Sequence, residues 1–318
     1  MCEKIAFIGD IHGKNRNPLG RLQDYNDDLF NKLQWIVNYC NENKIETIIH
    51  LGDIHDKTEA TDEWKNRFIQ IIRQFKGIFY TIIGNHDLPN NNEKLYYQTC
   101  LRNLELAGAV FILRDPIQVG NAKIIPLSLD IQKAKKELQS YAEQAKETNE
   151  TWIFVGHHYY QFDLKPEAGF VEDDFRQFKS SMNLVLGHDH RQHEPIFVNR
   201  CCNLFRPGSM MRTELSEETI TMKPRFLVYD SSKTLEPWTY IEIPHRDINE
   251  IYDVAMYRNK KNNTKYFKQT RNALDNMDKY LKTQEVSIPC SKALKKLNCP
   301  SEEYEYLRYV YQSCSQEF

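Results

Sequence analysis

Three things are missing from this chain, and each absence narrows what it can be. No run approaches the roughly 20 apolar residues that cross a bilayer as a helix, and Met1 to Lys4 lead straight into a strand-like segment with no signal-peptide core. A cytoplasmic protein with no membrane partner is therefore expected. Charge of one sign is also missing: 42 Lys and Arg stand against 44 Asp and Glu, a formal net charge of -2, so bulk charge favours neither nucleic acid nor a small phosphate as ligand. Finally, the eight cysteines have no metal-finger spacing, and Cys201 and Cys202 are adjacent, so reduced thiols are expected rather than a disulfide framework. No internal repeat or long low-complexity tract is found.

What the chain does have is one repeated phrase. Short apolar runs end in glycine at Ile5 to Gly9, Thr47 to Gly52, Ile78 to Gly84, Trp152 to Gly156 and Asn183 to Gly187. They read as buried strands, because they are short and lack helical spacing. Between them, Leu29, Phe30, Leu33, Ile36 and Val37, then Trp64, Phe68, Ile71 and Ile72, recur with the period of amphipathic helices. Further helices are expected at Leu95 to Leu106 and Ile131 to Lys146, with shorter strands at 110–113, 117–119 and 123–127. Strand and helix alternate, so the class is α/β. Beyond Gly187 the strands at 195–198, 203–205, 225–229 and 238–243 have an antiparallel character, which suggests two sheets packed face to face with helices outside. A composition shift predicts a main domain over 1–246 and a small, mostly helical region over 247–318.

The residues after each glycine carry the chemistry. They read Gly9-Asp10-Ile11-His12, Gly52-Asp53, Gly84-Asn85-His86-Asp87, Gly156-His157-His158 and Gly187-His188-Asp189-His190. One such turn is commonplace, but five in order all offer oxygen or nitrogen ligands. In an open α/β sheet the carboxyl ends of the strands meet in one crevice, so these residues should converge. Asp53 is the expected bridge between two divalent ions, the arrangement of two-metal hydrolysis. On an extended chain the side chains at i and i+2 share a side, which pairs Asp10 with His12 and turns His188 and His190 together toward the metals. Mixed carboxylate, amide and imidazole donors without cysteine suit Mn²⁺ first, with Fe²⁺, Zn²⁺ or Mg²⁺ as alternatives. His86, beside Asn85, is the expected catalytic residue, stabilising the transition state or protonating the leaving oxygen. His50, His55, His193 and His245 stay outside the set.

These motifs resemble those of the calcineurin-like metallophosphoesterase superfamily: Asp-x-His, Gly-Asp, Gly-Asn-His-Asp/Glu, a lone His and Gly-His-x-His. Over residues 4 to 230 the resemblance implies a β-sandwich flanked by helices with the metals at one edge. By the same resemblance one ion takes Asp10, His12, Asp53 and His190, and the other takes Asp53, Asn85, His157 and His188. The adjacent His158 is the competing candidate for the place of His157.

A second segment, Phe205-Arg206-Pro207-Gly208-Ser209-Met210-Met211-Arg212, looks like the Pro-Gly-Ser-x-x-Arg segment of the SbcD-type nucleases of DNA double-strand-break repair. That resemblance implies a DNA nuclease acting with an ABC-type, coiled-coil ATPase, and leaves association as a homodimer open. Here Ser209 and Arg212 are expected to meet a substrate phosphate, Arg212 bidentately. The basic stretch Arg258 to Lys282, with Tyr266 and Phe267, offers a surface for DNA or the ATPase. The alternatives are a phosphatase or small-molecule phosphodiesterase with the same metal centre, and a non-catalytic scaffold on the same fold.

Overall fold

The computed structural model describes residues 3–144, 150–160, 169–176, 178, 182–199, 202–233, 235–255 and 257–258. The chain divides into a unit of residues Met1–Tyr252 and a second of Asp253–Phe318. The docking stretch and amphipathic helices expected in the tail lie, from residue 259 onward, outside the described residues.

The first unit holds two six-stranded sheets. One contains β1 (Lys4–Ile8), β2 (Thr47–His50), β3 (Ile78–Thr81), β4 (Phe111–Ile112), β13 (Arg225–Asp230) and β14 (Trp238–Glu242), in the order β14-β13-β1-β2-β3-β4. The other contains β5 (Ile117–Val119), β6 (Ala122–Pro126), β7 (Thr151–His157), β10 (Met182–Gly187), β11 (His193–Asn199) and β12 (Cys202–Arg206), in the order β11-β12-β10-β7-β6-β5. Among the described residues there is also a two-stranded pair, β8 (Tyr159–Tyr160) and β9 (Gly169–Phe170).

The period of two along each strand divides the core into layers. Ile5, Phe7, Ile49, Leu51, Ile153, Val155 and Val185 meet between the sheets. Ala6, Ile8 and Ile48 face instead a layer of α1 (Tyr25–Glu42), α2 (Asp62–Ile72) and α3 (Cys100–Leu106). Trp152, Phe154, Leu184 and Leu186 pack outward with Ala134 and Leu138 of α4 (Ile131–Gln144). The result is the expected helix, sheet, sheet, helix sandwich, whose central strands are apolar on both faces as parallel strands must be.

Helix starts follow their caps. Asp24 accepts from Asp27 N at the head of α1, and Thr61 from Trp64 N at the head of α2; each such cap contributes about 1 kcal/mol. The helix expected over 95–106 is broken: residues Glu93–Gln98 form a 3₁₀ turn, and Thr99 starts α3 afresh by accepting from Arg102 N. The apolar period continues across the break, which hides it from a reading of spacing alone. Short helices α5 (Glu217–Thr221) and α6 (Ile248–Ile251) follow.

Candidate metal centre

Register brings the ligand-type residues together. β1, β2 and β3 are parallel, with Ile8 opposite His50 and His50 opposite Thr81, so Asp10, Asp53 and Asn85 leave the sheet at one edge. In the second sheet β7 and β10 are parallel with Gly187 opposite His157, which delivers His157 and His188 to the neighbouring edge. The local backbone differs from the extended chain expected for Asp-x-His. His12, Asp53 and His188 have φ of 48°, 58° and 78°, the left-handed region in which a side chain crowds its own backbone. The chain turns at each of these points, and the turn aims the imidazoles of His12 and His188 and the carboxylate of Asp53. Such residues cost about 1–3 kcal/mol each and persist where surroundings over-determine them. Here Asp53 O accepts from both Ile11 N (3.2 Å) and His12 N (3.0 Å), tying two of the three turns together.

Three groups of donor atoms result: a first of Asp10, His12 and His190, a second of Asp53, His157 and His188, and a third, on the more exposed side, in which His12 also meets Asp56 and His86. In the first, His12 Nε2 and His190 Nε2 face each other at 2.8 Å, and Asp10 Oδ2 lies 3.3 Å from His190 Nε2 and 3.7 Å from His12 Nε2. In the second, His157 Nε2 lies 3.1 Å from Asp53 Oδ2, 3.0 Å from Asn85 Oδ1 and 3.2 Å from His188 Nδ1. Asp53 Oδ2 also stands 3.5 Å from His12 Nε2, so one oxygen reaches both of these groups. An ion about 2.1 Å from each of two ligands at right angles separates them by about 3.0 Å, so these spacings fit divalent ions. The backbone makes room for them. A side-chain carbon on Gly52 would come within 2.7 Å of His157 Nδ1, and one on Gly84 would overlap the carboxylate and backbone nitrogen of Asp53.

Electrostatics follow from burial. Burial opposes the charge of Asp10, but hydrogen bonds with His12 and His190 outweigh it and hold the carboxyl well below its usual range. Burial likewise opposes a charged His157, yet Asp53 beside it pushes the imidazole up to about 10. His157 Nδ1 donates to Leu51 O at 2.7 Å, so the proton retained at neutral pH sits on Nε2, where a metal would bind. Metal binding should therefore expel a proton. Calorimetric titration with Mn²⁺ at pH 7, in buffers of different ionisation enthalpy, is expected to show net proton release and an apparent affinity that rises with pH toward about 10. A heat independent of buffer would contradict this.

The other predicted residues divide. His157 and not His158 stands in the cluster, since His158 Nε2 turns to Ser128 O at 2.8 Å and burial pushes its ring down to about 4. His86 is exposed beside the buried centre; its N–H donates to Asp53 Oδ1 at 2.8 Å and its Nδ1 to Asp56 O at 2.8 Å. Ser209 and Arg212 require a correction. Ser209 is fully buried, with its hydroxyl donating to Asp10 O at 2.9 Å and accepting from Met211 N. Arg212 is buried too, spending Nε and Nη2 on Met222 O and Nη1 on Arg246 O. The one donor of Ser209 is thus used inside the fold, and three of the five N–H donors of Arg212 are bound to main-chain carbonyls.

Two buried acids carry more of the site than their sequence positions suggest. Asp87 accepts from Asp53 N (2.9 Å), Ile54 N (3.2 Å) and Gly84 N (2.8 Å), and so joins the bridging loop to the Asn85 loop. Burial, reinforced by the nearby Asp53 charge, pushes its carboxyl up to about 7. Asp189, between His188 and His190, meets Arg191 at 2.8 Å and Arg206 at 3.0 Å. Both stand inside motifs, but the sequence does not indicate which backbone they hold. A cavity of about 480 Å³ adjoins His190, with Arg191, Gln192, Thr213, Glu214 and Ser216 on its walls. A larger one, about 630 Å³, lies against α1 and residues 244–246, and none of the predicted ligands line it.

The chain is similar to several known proteins. The chain is 21% identical over 249 residues to the DNA double-strand break repair protein Mre11 of Sulfolobus acidocaldarius, covering 77% of this chain and 64% of that one. It is 24% identical over 192 residues to the protein of the same name from Sulfurisphaera tokodaii, covering 59% of this chain and 49% of that one. The chain thus spans about half to two-thirds of the length of these curated relatives. Among solved structures, a Staphylococcus aureus protein assigned as a 5′-nucleotidase shares the fold, with a TM-score of 0.50, 15% identity, and coverage of 78% of this chain and 55% of that one. A family model described as calcineurin-like phosphoesterase matches residues 3–192. With that match spanning more than half of its length, this chain belongs to the calcineurin-like phosphoesterase family.

Proposed function

We propose that the chain is a two-metal nuclease that hydrolyses DNA phosphodiesters in the cytoplasm, acting with an ABC-type ATPase. The observation behind the two-metal reading is the place of Asp53 Oδ2, 3.5 Å from His12 Nε2 and 3.1 Å from His157 Nε2. In this reading Asp10, His12, Asp53 and His190 hold one ion, and Asp53, Asn85, His157 and His188 the other. When bound, a pair of divalent ions, with Mn²⁺ the first candidate, polarises the phosphate oxygens and acidifies a water for in-line attack. The choice of DNA draws support from the two relatives named as double-strand break repair proteins. It draws none from Ser209 and Arg212, which are buried and bonded to main-chain carbonyls inside the fold.

His86 supplies the proton chemistry. A carbonyl only accepts, so the bond to Asp56 O assigns the hydrogen to Nδ1 and leaves Nε2 to exchange a proton with the leaving oxygen. His86→Ala is expected to lower kcat about 100- to 10,000-fold. Metal content by elemental analysis should match the wild type.

The function as a whole is tested with purified protein, Mn²⁺ and linear DNA, alone and with an ATPase from the same genome. A second arm uses nucleoside monophosphates and cyclic nucleotides, because the cavity beside His190 is of a size for a small ligand. DNA degradation is expected. Robust turnover of the small esters with DNA left intact, with or without the ATPase, would transfer the assignment to a small-molecule phosphoesterase.

A further inference from the structure

The turn Pro207-Gly208-Ser209 touches the centre from behind, and on one side only. Asp10 O accepts from Ser209 Oγ at 2.9 Å and from Met210 N at 3.1 Å. Ser209 N donates to His190 O at 3.1 Å, and Thr213 Oγ1 lies 3.4 Å from His190 Nδ1. A side-chain carbon on Gly9 would overlap Gly208 O, so the end of β1 and the turn meet backbone to backbone. All five contacts fall on residues that precede or belong to the Asp10, His12 and His190 group.

The turn is itself anchored. Arg212 grips Met222 O and Arg246 O, while its own carbonyl accepts from Tyr252 Oη at 3.0 Å and Arg21 Nη1 at 3.5 Å. Arg21 pairs with Asp28 at 2.7 Å, and so does the buried Lys32 at 2.9 Å. The Asp53, Asn85, His157 and His188 half has a different support: Asp87 under Asp53 and Gly84, and Leu51 O on His157 Nδ1.

We infer that Ser209 and Thr213 are positioning residues for one ion of the pair, the one held by Asp10, His12 and His190, and that the other ion has its own support in Asp87 and Leu51, the two halves meeting where Asp53 is shared and where His188 N donates to the Asp10 carboxylate at 3.1 Å. Ser209 fixes the carbonyls on either side of the group, and so the angle at which Asp10 and His190 enter. With Nε2 of His190 bound to an ion the ring hydrogen sits on Nδ1, and Thr213 Oγ1, 3.4 Å away, is placed to accept it. Outer partners of metal ligands act in this way, and their loss costs about 10- to 100-fold in metal affinity. The inference rests on the proposed two-metal reading and adds to it that the two halves can be weakened separately.

The test is titration of the full chain with Mn²⁺, followed by calorimetry and by electron paramagnetic resonance, which separates lone from exchange-coupled Mn²⁺. Three proteins are compared: wild type, Ser209→Ala and Thr213→Val, the last keeping volume in case the buried serine variant does not fold. Wild type is expected to bind two ions and show a coupled pair. In each variant one binding step should weaken about 10- to 100-fold while the other stays within about twofold, and at one equivalent the spectrum should be that of isolated Mn²⁺. Two unchanged steps, or two steps weakened alike, would overturn the inference while leaving the metal centre standing. Failure of wild type to bind a pair would instead remove the two-metal reading, and the inference with it.

Discussion

Asp53→Asn is expected to abolish hydrolysis and leave the protein folded. The substitution keeps the side chain's shape and an oxygen to accept from His86 N, which donates to Asp53 Oδ1 at 2.8 Å. It removes the single negative charge that both donor groups share. Bound metal ions supply several kcal/mol of transition-state stabilisation, and each 1.36 kcal/mol lost at the transition state is about tenfold in rate. A fall of about a thousandfold or more follows. The variant should melt normally in a chelator and bind far less Mn²⁺. Wild-type rates in a protein lacking this charge would show that the bridge is misassigned.

Gly84→Ala should be nearly as damaging, by a different route. The added carbon would overlap Asp53 Oδ1 and, more seriously, Asp53 N, a backbone atom that cannot rotate away. Because Gly84 N also donates to Asp87 Oδ2 at 2.8 Å, a shift there disturbs the carboxylate that aligns Asp53 and Ile54. Overpacking of this kind costs about 1–3 kcal/mol or more, which lowers Tm by several degrees in a domain of this size. Mn²⁺ should raise the wild-type Tm, as any ligand of the native state does, and should do nothing for the variant. Thermal melts with and without the ion read both effects.

Much of this could be read from the chain because the fold repeats one local instruction. An apolar run buried on both faces ends in a small residue and then in ligands, and parallel pairing needs no more than that to gather Asp10, Asp53, Asn85, His157 and His188 at one edge. The break at Thr99 was invisible because a cap within a continuous apolar period changes no spacing. The left-handed turns at His12, Asp53 and His188 were equally hidden, since Asp and His enter that region more often than most residues but still rarely, and so do not mark it as glycine does.

Ser209 and Arg212 show the sharper limit. A hydroxyl and a guanidinium near a metal cleft suggest substrate contact by type, but their partners are main-chain carbonyls of Asp10, Met222 and Arg246, from 10 to 199 residues away in sequence. Backbone acceptors carry no sequence signature, so only the folded chain assigns these donors. The same holds for Asp87, whose three backbone donors come from two different loops.

The most direct test of the central claim is an anomalous difference map from crystals of the protein soaked in Mn²⁺. The account predicts two peaks about 3.5–4 Å apart, both touching Asp53, one beside Asp10, His12 and His190 and the other beside Asn85, His157 and His188. A single peak, or a pair of which only one touches Asp53, would contradict it.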